Sequence, residues 1–311
     1  MVKVSIVVPV YNMEDKLERC LDSLVNQTLS DIEIIIINDG SSDKSLEIIQ
    51  KYQEKYKNIV AISRENKGIS YTRNEGIKLS RGKYIAFVDS DDYVEVDMYE
   101  KLYNKIISDN SDIVVCNYKT FIEDSKEFNN YNVNKTNITN LVDNPKLVYL
   151  LDYQPWNKLY KKSLWDKVYF PLNTKYEDLE AVLKVFLKAK KVSYISDYLY
   201  NYLINPNGET GTINEKVYDI FKILDNLKNE FAKQNQELQE SFKELVLSKL
   251  FIYYRLIKRK DLKMANEFMK EIKKYLNKNY PHFKFFYLKK SRNVKNFLVR
   301  LNDIRIYDII K

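Results

Sequence analysis

Histidine is nearly absent from this chain. His282 is the single example in 311 residues, and there are two cysteines, Cys20 and Cys116. His282 lies far from every acidic cluster, so zinc sites and Ser/His or Cys/His catalysis are poorly supported and acid–base chemistry falls to carboxylates. Each cysteine sits among apolar neighbours, which suits reduced thiols better than a bridge and makes a cytosolic compartment the default expectation. No run of 18 or more uncharged apolar residues occurs, which predicts no membrane-spanning helix. The N-terminus runs straight into a strand-like stretch, Val2–Val10, and does not read as an export leader. A net positive charge is absent outside the tail. Residues 241–311 hold 19 Lys and Arg against 6 Asp and Glu, a net of +13, whereas residues 1–240 hold 32 against 37. The overall +8 therefore belongs to the tail.

What is present is a rhythm of short apolar runs and amphipathic stretches. Val4–Val8 reads as a buried strand and Glu14–Gln27 as a helix, with Leu17, Cys20, Leu21, Leu24 and Val25 at helical spacing. Ile32–Ile37 is too densely β-branched for a half-exposed strand and predicts burial on both faces of a parallel sheet. A helix capped by Ser42 or Asp43 should follow and run to about Tyr56. Ile59–Ile62 (strand), Ile69–Leu79 (helix), Tyr84–Val88 (strand), Asp97–Ser108 (helix) and Ile113–Cys116 (strand) continue the pattern. Such β-α alternation predicts an open α/β sheet that presents ligands at the carboxyl ends of its strands. The stretch 121–142 is rich in Asn, Lys, Asp and Glu and reads as a loop or linker. Residues 145–200 hold apolar and aromatic positions that could close over a sheet edge, and from Glu215 onward the chain reads almost entirely as helix.

The chemistry concentrates in Asp89-Ser90-Asp91-Asp92, directly after the strand Tyr84–Val88. Three carboxylates within four residues repel one another unless a cation neutralises them, and hard oxygen ligands suit Mg²⁺ or Mn²⁺. Alone, such a string also reads as a solvated turn. Asp39, at the end of another predicted strand, aims a second carboxylate at the same sheet edge.

Together the strand-end segments resemble family 2 glycosyltransferases. Val4-Ser5-Ile6-Val7-Val8-Pro9-Val10-Tyr11-Asn12 is similar to the family's first strand and nucleotide loop, and Ile36-Ile37-Asn38-Asp39-Gly40-Ser41-Ser42-Asp43 to the second. Asn66-Lys67-Gly68-Ile69-Ser70 with Arg73-Asn74-Glu75-Gly76 matches the third, and Phe87-Val88-Asp89-Ser90-Asp91-Asp92 the metal motif. The resemblance implies a GT-A fold, a Rossmann-like and mostly parallel sheet flanked by helices and followed by a C-terminal helical region. It places a transferase domain at 1–214, with a nucleotide-binding half 1–118 and an acceptor half 119–214, and a basic helical region at 215–311. The implied reaction is inverting transfer of a hexose or N-acetylhexosamine from a UDP-sugar to a hydroxyl of a glycan or lipid-linked acceptor in surface polysaccharide synthesis.

Roles follow from the resemblance position by position. Pro9, Tyr11 and Asp39 would hold the base, with Asn12 beside them, and Lys67 and Arg73 would lie near the phosphates. Asp89, Ser90 and Asp92 would line the nucleotide-sugar site, and Asp91, with Asp89, would bind Mn²⁺ or Mg²⁺. In Lys175-Tyr176-Glu177-Asp178-Leu179-Glu180, Asp178 aligns with the family's base and Glu177 is the reserve. A helix N-terminus keeps such a carboxyl ionised, although an acid there can also be simple dipole compensation. Trp156 reads as a sugar platform or as core. The family's flexible loop falls at 205–212, where this chain lacks the histidine and the Ser-Ile-Thr triplet of many relatives, which leaves the third protein ligand to the metal open.

The tail alternates Lys and Arg with Phe, Tyr, Leu and Ile, as in 251–260 and 282–290. Basic amphipathic helices of this kind suit the inner face of a membrane or a cap on the transferase core, and no nucleic-acid module is visible. Two other functions fit parts of the pattern. A sugar nucleotidyltransferase would show a Gly-rich, basic loop where this chain has Pro9-Val10-Tyr11-Asn12-Met13, and a non-catalytic sugar-nucleotide- or membrane-binding partner would have no use for both Asp91 and Asp178. Oligomeric state is not legible.

Overall fold

The structure is a computed structural model that describes residues 1–123, 128–132, 140–205 and 213–281. The chain divides into two compact units, Met1–Ile204 and Asn205–Lys311. The sequence reading put this junction after residue 214. The last strand of the first unit ends at Leu203.

Four parallel strands form the nucleotide-binding half: β1 (Val4–Val10), β2 (Ile32–Asn38), β3 (Ile59–Ser63) and β4 (Tyr84–Phe87), in the spatial order β3-β2-β1-β4. Every residue of β1, β2 and β4 is buried, as their largely apolar runs require, and the polar Ser5 and Glu33 among them bond to each other, Ser5 Oγ donating to Glu33 Oε1 at 2.6 Å. The connecting helices are α1 (Leu17–Val25), α2 (Ser45–Lys55) and α3 (Ile69–Leu79). α3 lies close on β1, since a Cβ added to Gly76 would meet Val7 Cγ1 at 2.3 Å. Any side chain at 76 would push the helix off the sheet. At α2 the expected cap is partial. Asp43 Oδ1 accepts from Ser45 N–H at 2.9 Å while its other oxygen accepts from Glu14 N–H at 2.9 Å, so Asp43 also pins the loop after β1.

The sheet continues through β5 (Tyr93–Val94), α4 (Met98–Ser108), β6 (Ile113–Phe121), β7 (Phe128–Tyr131), the short α5 (Leu147–Leu150), β8 (Lys158–Lys161), α6 (Glu177–Lys188) and β9 (Val192–Leu203). The full order is β3-β2-β1-β4-β8-β6-β9-β5, with β7 on β6. Two expectations change here. The loop-like 121–142 stretch contains β7, which pairs antiparallel with the end of β6, Tyr118 opposite Tyr131, and stacks those two rings 5.1 Å apart. Residues 145–200 do not close over an edge. β8 inserts antiparallel between β4 and β6, with Tyr160 opposite both Ile85 and Ile113. The resulting sheet is mixed but mostly parallel, as the fold class predicts.

In the second unit a 3-10 turn (Glu215–Tyr218) leads into α7 (Asp219–Phe231), α8 (Gln236–Lys260) and α9 (Leu262–Asn279). Asn235 Oδ1 caps α8 at Leu238 N–H and Asp261 Oδ1 caps α9 at Met264 N–H, both at 2.9 Å. Phe231 stacks on Phe242 at 4.5 Å and Phe221 meets Phe268 at 5.3 Å, so aromatic faces carry the helix packing. Among the described residues no helix is long and apolar enough to cross a membrane. Residues 251–256 of the basic aromatic stretch are half-buried, Ile257 is buried and 258–260 are exposed. The second such stretch, 282–290, and the loop 206–212 lie outside the described residues.

Candidate active site

The site is built from the carboxyl ends of β1, β2 and β4. These three strands are adjacent and parallel, so the residues that follow them emerge on one side of the sheet.

Asp39 follows β2, its N–H donating to Val10 O at 2.8 Å. Its carboxylate is buried and holds the loop that enters α3. Oδ1 accepts from Lys67 N–H at 2.8 Å, Oδ2 accepts from Gly68 N–H at 2.8 Å, and the Arg64 guanidinium closes on Oδ1. One lone pair of Oδ2 is left for a ligand. Arg64 also donates to Glu75 and to Thr72 Oγ1, both at 2.8 Å, and lies over the Tyr71 ring at 4.6 Å. Burial opposes its charge, but Glu75 and Asp39 together hold the guanidinium above its ordinary pKa. The turn needs a glycine at 40, where φ is +75° and a Cβ would meet Asn66 N at 2.7 Å.

α3 then spans the site. From Gly68 to Arg73 is five residues, roughly 7–8 Å of helix. Arg73, buried, donates to Asp89 Oδ1 at 2.9 Å and to Glu177 Oε1 at 3.1 Å. Burial alone would lower its pKa, but Asp89 first, then Glu177 and Asp178, raise it. One guanidinium thus joins the acidic turn after β4 to the start of α6, 104 residues away from it in sequence. Its carbon sits over the Phe170 ring at 5.3 Å, within a cluster where Phe87 meets Trp165 at 5.1 Å and Phe170 at 5.6 Å. Asn74 fixes the Phe170 backbone reciprocally, donating to its carbonyl and accepting from its N–H at 2.8 Å each. This tether brings the segment before α6 to the sheet, and Tyr176, at φ +68°, turns it into the helix.

Glu177, Asp178 and Glu180 occupy the first turn of α6, where the helix dipole favours ionised acids. Asp178 Oδ1 accepts from Leu179 N–H at 2.7 Å. Its charge reaches Arg73, Tyr160 and Lys158. Lys158 is fully buried, donating to Gln154 O at 2.7 Å and to Asn157 Oδ1 at 2.5 Å, and burial pushes it down to about 8 against the opposing charges of Asp152, Cys116 and Asp178.

The acids of the turn after β4 divide by direction. Asp89 faces Arg73 and Asp91 stands beside it, its carboxyl pushed up to about 6 by burial first and by the Asp89 charge second. Lys16 and Arg19 lower it by less. Asp92 faces inward and is fully buried, accepting from Tyr200 Oη at 2.6 Å and from Leu203 N–H at 2.7 Å. Asp92 thus has no exposed surface in this arrangement, where the sequence reading expects it to line the nucleotide-sugar site. Ser90 is buried as well. Trp156 stacks on Tyr200 at 4.2 Å and on Tyr202 at 5.4 Å and is 3% exposed, the packing expected of its core reading.

At the other strand ends Pro9 is buried within β1, while Tyr11 is 49% exposed and Asn12 exposed. Asn12 Oδ1 accepts from Ser42 N–H at 2.8 Å and Asn12 N–H donates to Ser41 Oγ at 3.0 Å, which locks the first two loops together. An open hollow of about 480 Å³ lies over them, lined by Asn12, Met13, Glu14, Asp15, Lys16, Ser42 and Asp43. It includes none of Asp39, Asp91 and Asp178 and is not the space between those acids. Lys67 is exposed, with its ammonium over Tyr71 at 4.9 Å.

The residues present fit a divalent cation in one respect. Burial first and the neighbouring Asp89 charge second raise the Asp91 carboxyl, and a cation seated there would offset both. Among the described residues no three His, Cys, Asp or Glu side chains form a closed cage. Mg²⁺ sites commonly use one or two carboxylates and fill the rest with phosphate oxygens and water.

Arg64, Tyr200 and Lys158 were not singled out from sequence. Arg64 directly follows β3 and a basic residue at a strand end is a readable signal. Tyr200 carried none, because its partner Asp92 is set by the pairing of β9 with β5, and Lys158, bonded to Gln154 and Asn157 close by in sequence, gave no sign of its burial.

Comparison with known proteins agrees with this architecture. The chain is 37% identical over 224 residues to the glycosyltransferase GlyA of Streptococcus pneumoniae, covering 69% of this chain and 32% of that protein. It is 41% identical over 214 residues to a poly(ribitol-phosphate) beta-glucosyltransferase of Bacillus spizizenii, covering 67% and 33%. It therefore spans about a third of the length of these two relatives. The fold matches the crystal structure of S. aureus TarS 1–349 in complex with UDP-GlcNAc, with a TM-score of 0.76 and 23% identity over 89% of this chain and 81% of that one. Residues 5–169 match the family described as glycosyl transferase family 2, and the chain belongs to that family.

Proposed function

We propose that this chain is an inverting glycosyltransferase that moves a hexose or N-acetylhexosamine from a UDP-sugar to a hydroxyl of a glycan or lipid-linked glycan in surface polysaccharide synthesis. The observation that carries the reading is the Arg73 bridge, which sets Asp178 and Glu177 of α6 beside the acidic turn Asp89–Asp91 at the carboxyl edge of the sheet. A base and a diphosphate site must lie this close if an acceptor oxygen is to meet a donor carbon. The name of the Bacillus relative and the UDP-GlcNAc in the TarS crystal support a UDP-sugar donor and a cell-surface polymer as acceptor.

In this reading Tyr11, Asn12 and the free lone pair of Asp39 receive the base, and Lys67 faces the phosphates. Asp178 takes the proton of the acceptor hydroxyl, and that oxygen attacks the anomeric carbon from the face opposite the diphosphate. The carbon–oxygen bond to UDP breaks and UDP leaves with the bonding pair. Asp91, with Asp89, would hold Mn²⁺ or Mg²⁺, which as a Lewis acid neutralises the charge growing on the diphosphate. Asp178, which aligns with the family's base position, takes that role, and Glu177, held by Arg73, is the reserve. The basic helices after residue 215 would keep the enzyme at the inner membrane face, where a lipid-linked acceptor is displayed.

UDP release from a panel of UDP-sugars, followed with manganese and an acceptor preparation, tests the class. We expect one or two donors to be turned over and a chelator to abolish release. Tight metal-dependent UDP binding with no release across the panel would favour a non-catalytic partner.

A further inference from the structure

The acidic turn is an arch with two feet. It leaves the sheet at Phe87, the end of β4, and returns at Tyr93, the start of β5. β5 pairs antiparallel with β9, Val94 opposite Tyr200, which places Tyr200 beneath the arch. The Tyr200 hydroxyl uses both of its capacities there. It donates to Asp92 Oδ2 at 2.6 Å and accepts from Asp89 N–H at 3.2 Å. The other Asp92 oxygen accepts from Leu203 N–H at 2.7 Å, and Asp92 N–H closes the turn on Asp89 O at 3.0 Å. Tyr200 and Asp92 are both fully buried, and the Tyr200 ring is fixed by its stack on Trp156.

The geometry points to Tyr200 as a positioning residue for the cation site: its hydroxyl fixes the Asp89 backbone and holds Asp92 inward, so that Asp89 and Asp91 alone present carboxylates outward. The inference rests on the reading that those two acids hold the divalent cation. Tyr200 touches neither cation nor substrate and acts through the turn. Without the hydroxyl, Asp92 Oδ2 and Asp89 N–H are buried without partners, and a buried polar pair in that condition rearranges to reach water. The arch then samples conformations in which Asp92 competes outward and Asp89 leaves its place.

The test uses the full chain as wild type, Tyr200→Phe and Tyr118→Phe. Phenylalanine at 200 keeps the ring on Trp156. Tyr118 meets Trp156 edge-on at 4.9 Å, so its replacement removes a hydroxyl from the same aromatic cluster without reaching the turn. Manganese is titrated calorimetrically in the presence of UDP, and thermal melts are recorded alongside. We expect Tyr200→Phe to raise the half-saturating Mn²⁺ concentration at least about tenfold and Tyr118→Phe to change it less than about twofold. A Tyr200→Phe value within twofold of wild type, or an equal rise in Tyr118→Phe, overturns the inference. Should Tyr200→Phe fail to fold, Asp92→Asn, which keeps ring and hydroxyl, takes its place. A rise supports the inference and an unchanged value overturns it. Absence of Mn²⁺-linked UDP binding in the wild type would instead remove the cation from Asp91 and the inference with it.

Discussion

Replacing Asp178 with asparagine is expected to lower turnover roughly a hundredfold or more while leaving UDP affinity within about twofold. Asparagine keeps the size of the side chain and still offers an oxygen to Leu179 N–H, so the start of α6 should survive. What it loses is the ability to accept a proton as the acceptor oxygen attacks. General-base contributions of this kind span about 10²–10⁴ in rate. UDP should be indifferent, because the groups assigned to it follow β1, β2, β3 and β4 and not α6. Steady-state kinetics with calorimetric UDP binding separate the two effects. Unchanged turnover would remove Asp178 from the mechanism and leave its place at a helix N-terminus as dipole compensation. A parallel loss of UDP affinity would mean that the substitution disturbs the strand-end site through Arg73.

Arg73→Met should show its effect in stability as much as in activity. Arg73 is buried and its two bonds neutralise Asp89 and Glu177 at once. Methionine fills similar volume and keeps the contact with Phe170, but it leaves those carboxylates close together with no cation between them. Removing one partner from such a buried arrangement costs about 3–5 kcal/mol. For a unit of this size that corresponds to a melting temperature lower by roughly 6–20 °C. The sign of the pH dependence follows from the same charges. At neutral pH the variant keeps the like charges of the two acids without the guanidinium, and acidification neutralises them, so the variant loses stability relative to wild type as pH rises. The deficit should be largest near neutral pH and shrink as pH falls toward about 4, which melts at pH 7 and pH 5 would record. Arg73→Lys should fall between, because one ammonium cannot span both acids as the guanidinium fork does. A methionine variant as stable as wild type at pH 7 would show that the bridge holds nothing together.

Much of this site could be read from residues alone, and what could not has a common cause. The run Ile32–Ile37 carries its own strand signal and nearly its own boundaries, and the acids after it and after Tyr84–Val88 fall where a parallel sheet presents ligands. Helical spacing likewise located α1 and α3. Direction was not legible. Asp91 and Asp92 are neighbours of the same type, and which one turns inward is decided by Tyr200, 108 residues away, through the pairing of β5 with β9. Trp156 reads as well as a sugar platform as core from sequence, and the rings stacked on it, Tyr200 and Tyr202, come from β9, more than 40 residues on. The 128–131 strand is not legible in sequence because Phe128-Asn129-Asn130-Tyr131 has little apolar pattern and owes its form to the partner strand. Local periodicity fixes elements and strand ends. Side-chain orientation waits for partners distant in sequence.

The central claim is that the carboxyl edge of this sheet binds a nucleoside diphosphate together with a cation held at Asp91. A calorimetric titration of UDP into the wild type and into Asp91→Asn, each with and without Mn²⁺, tests it most directly. The account predicts that manganese tightens UDP binding at least about tenfold in the wild type and has little effect in the variant. Equal enhancement in both proteins, or none in the wild type, would contradict it.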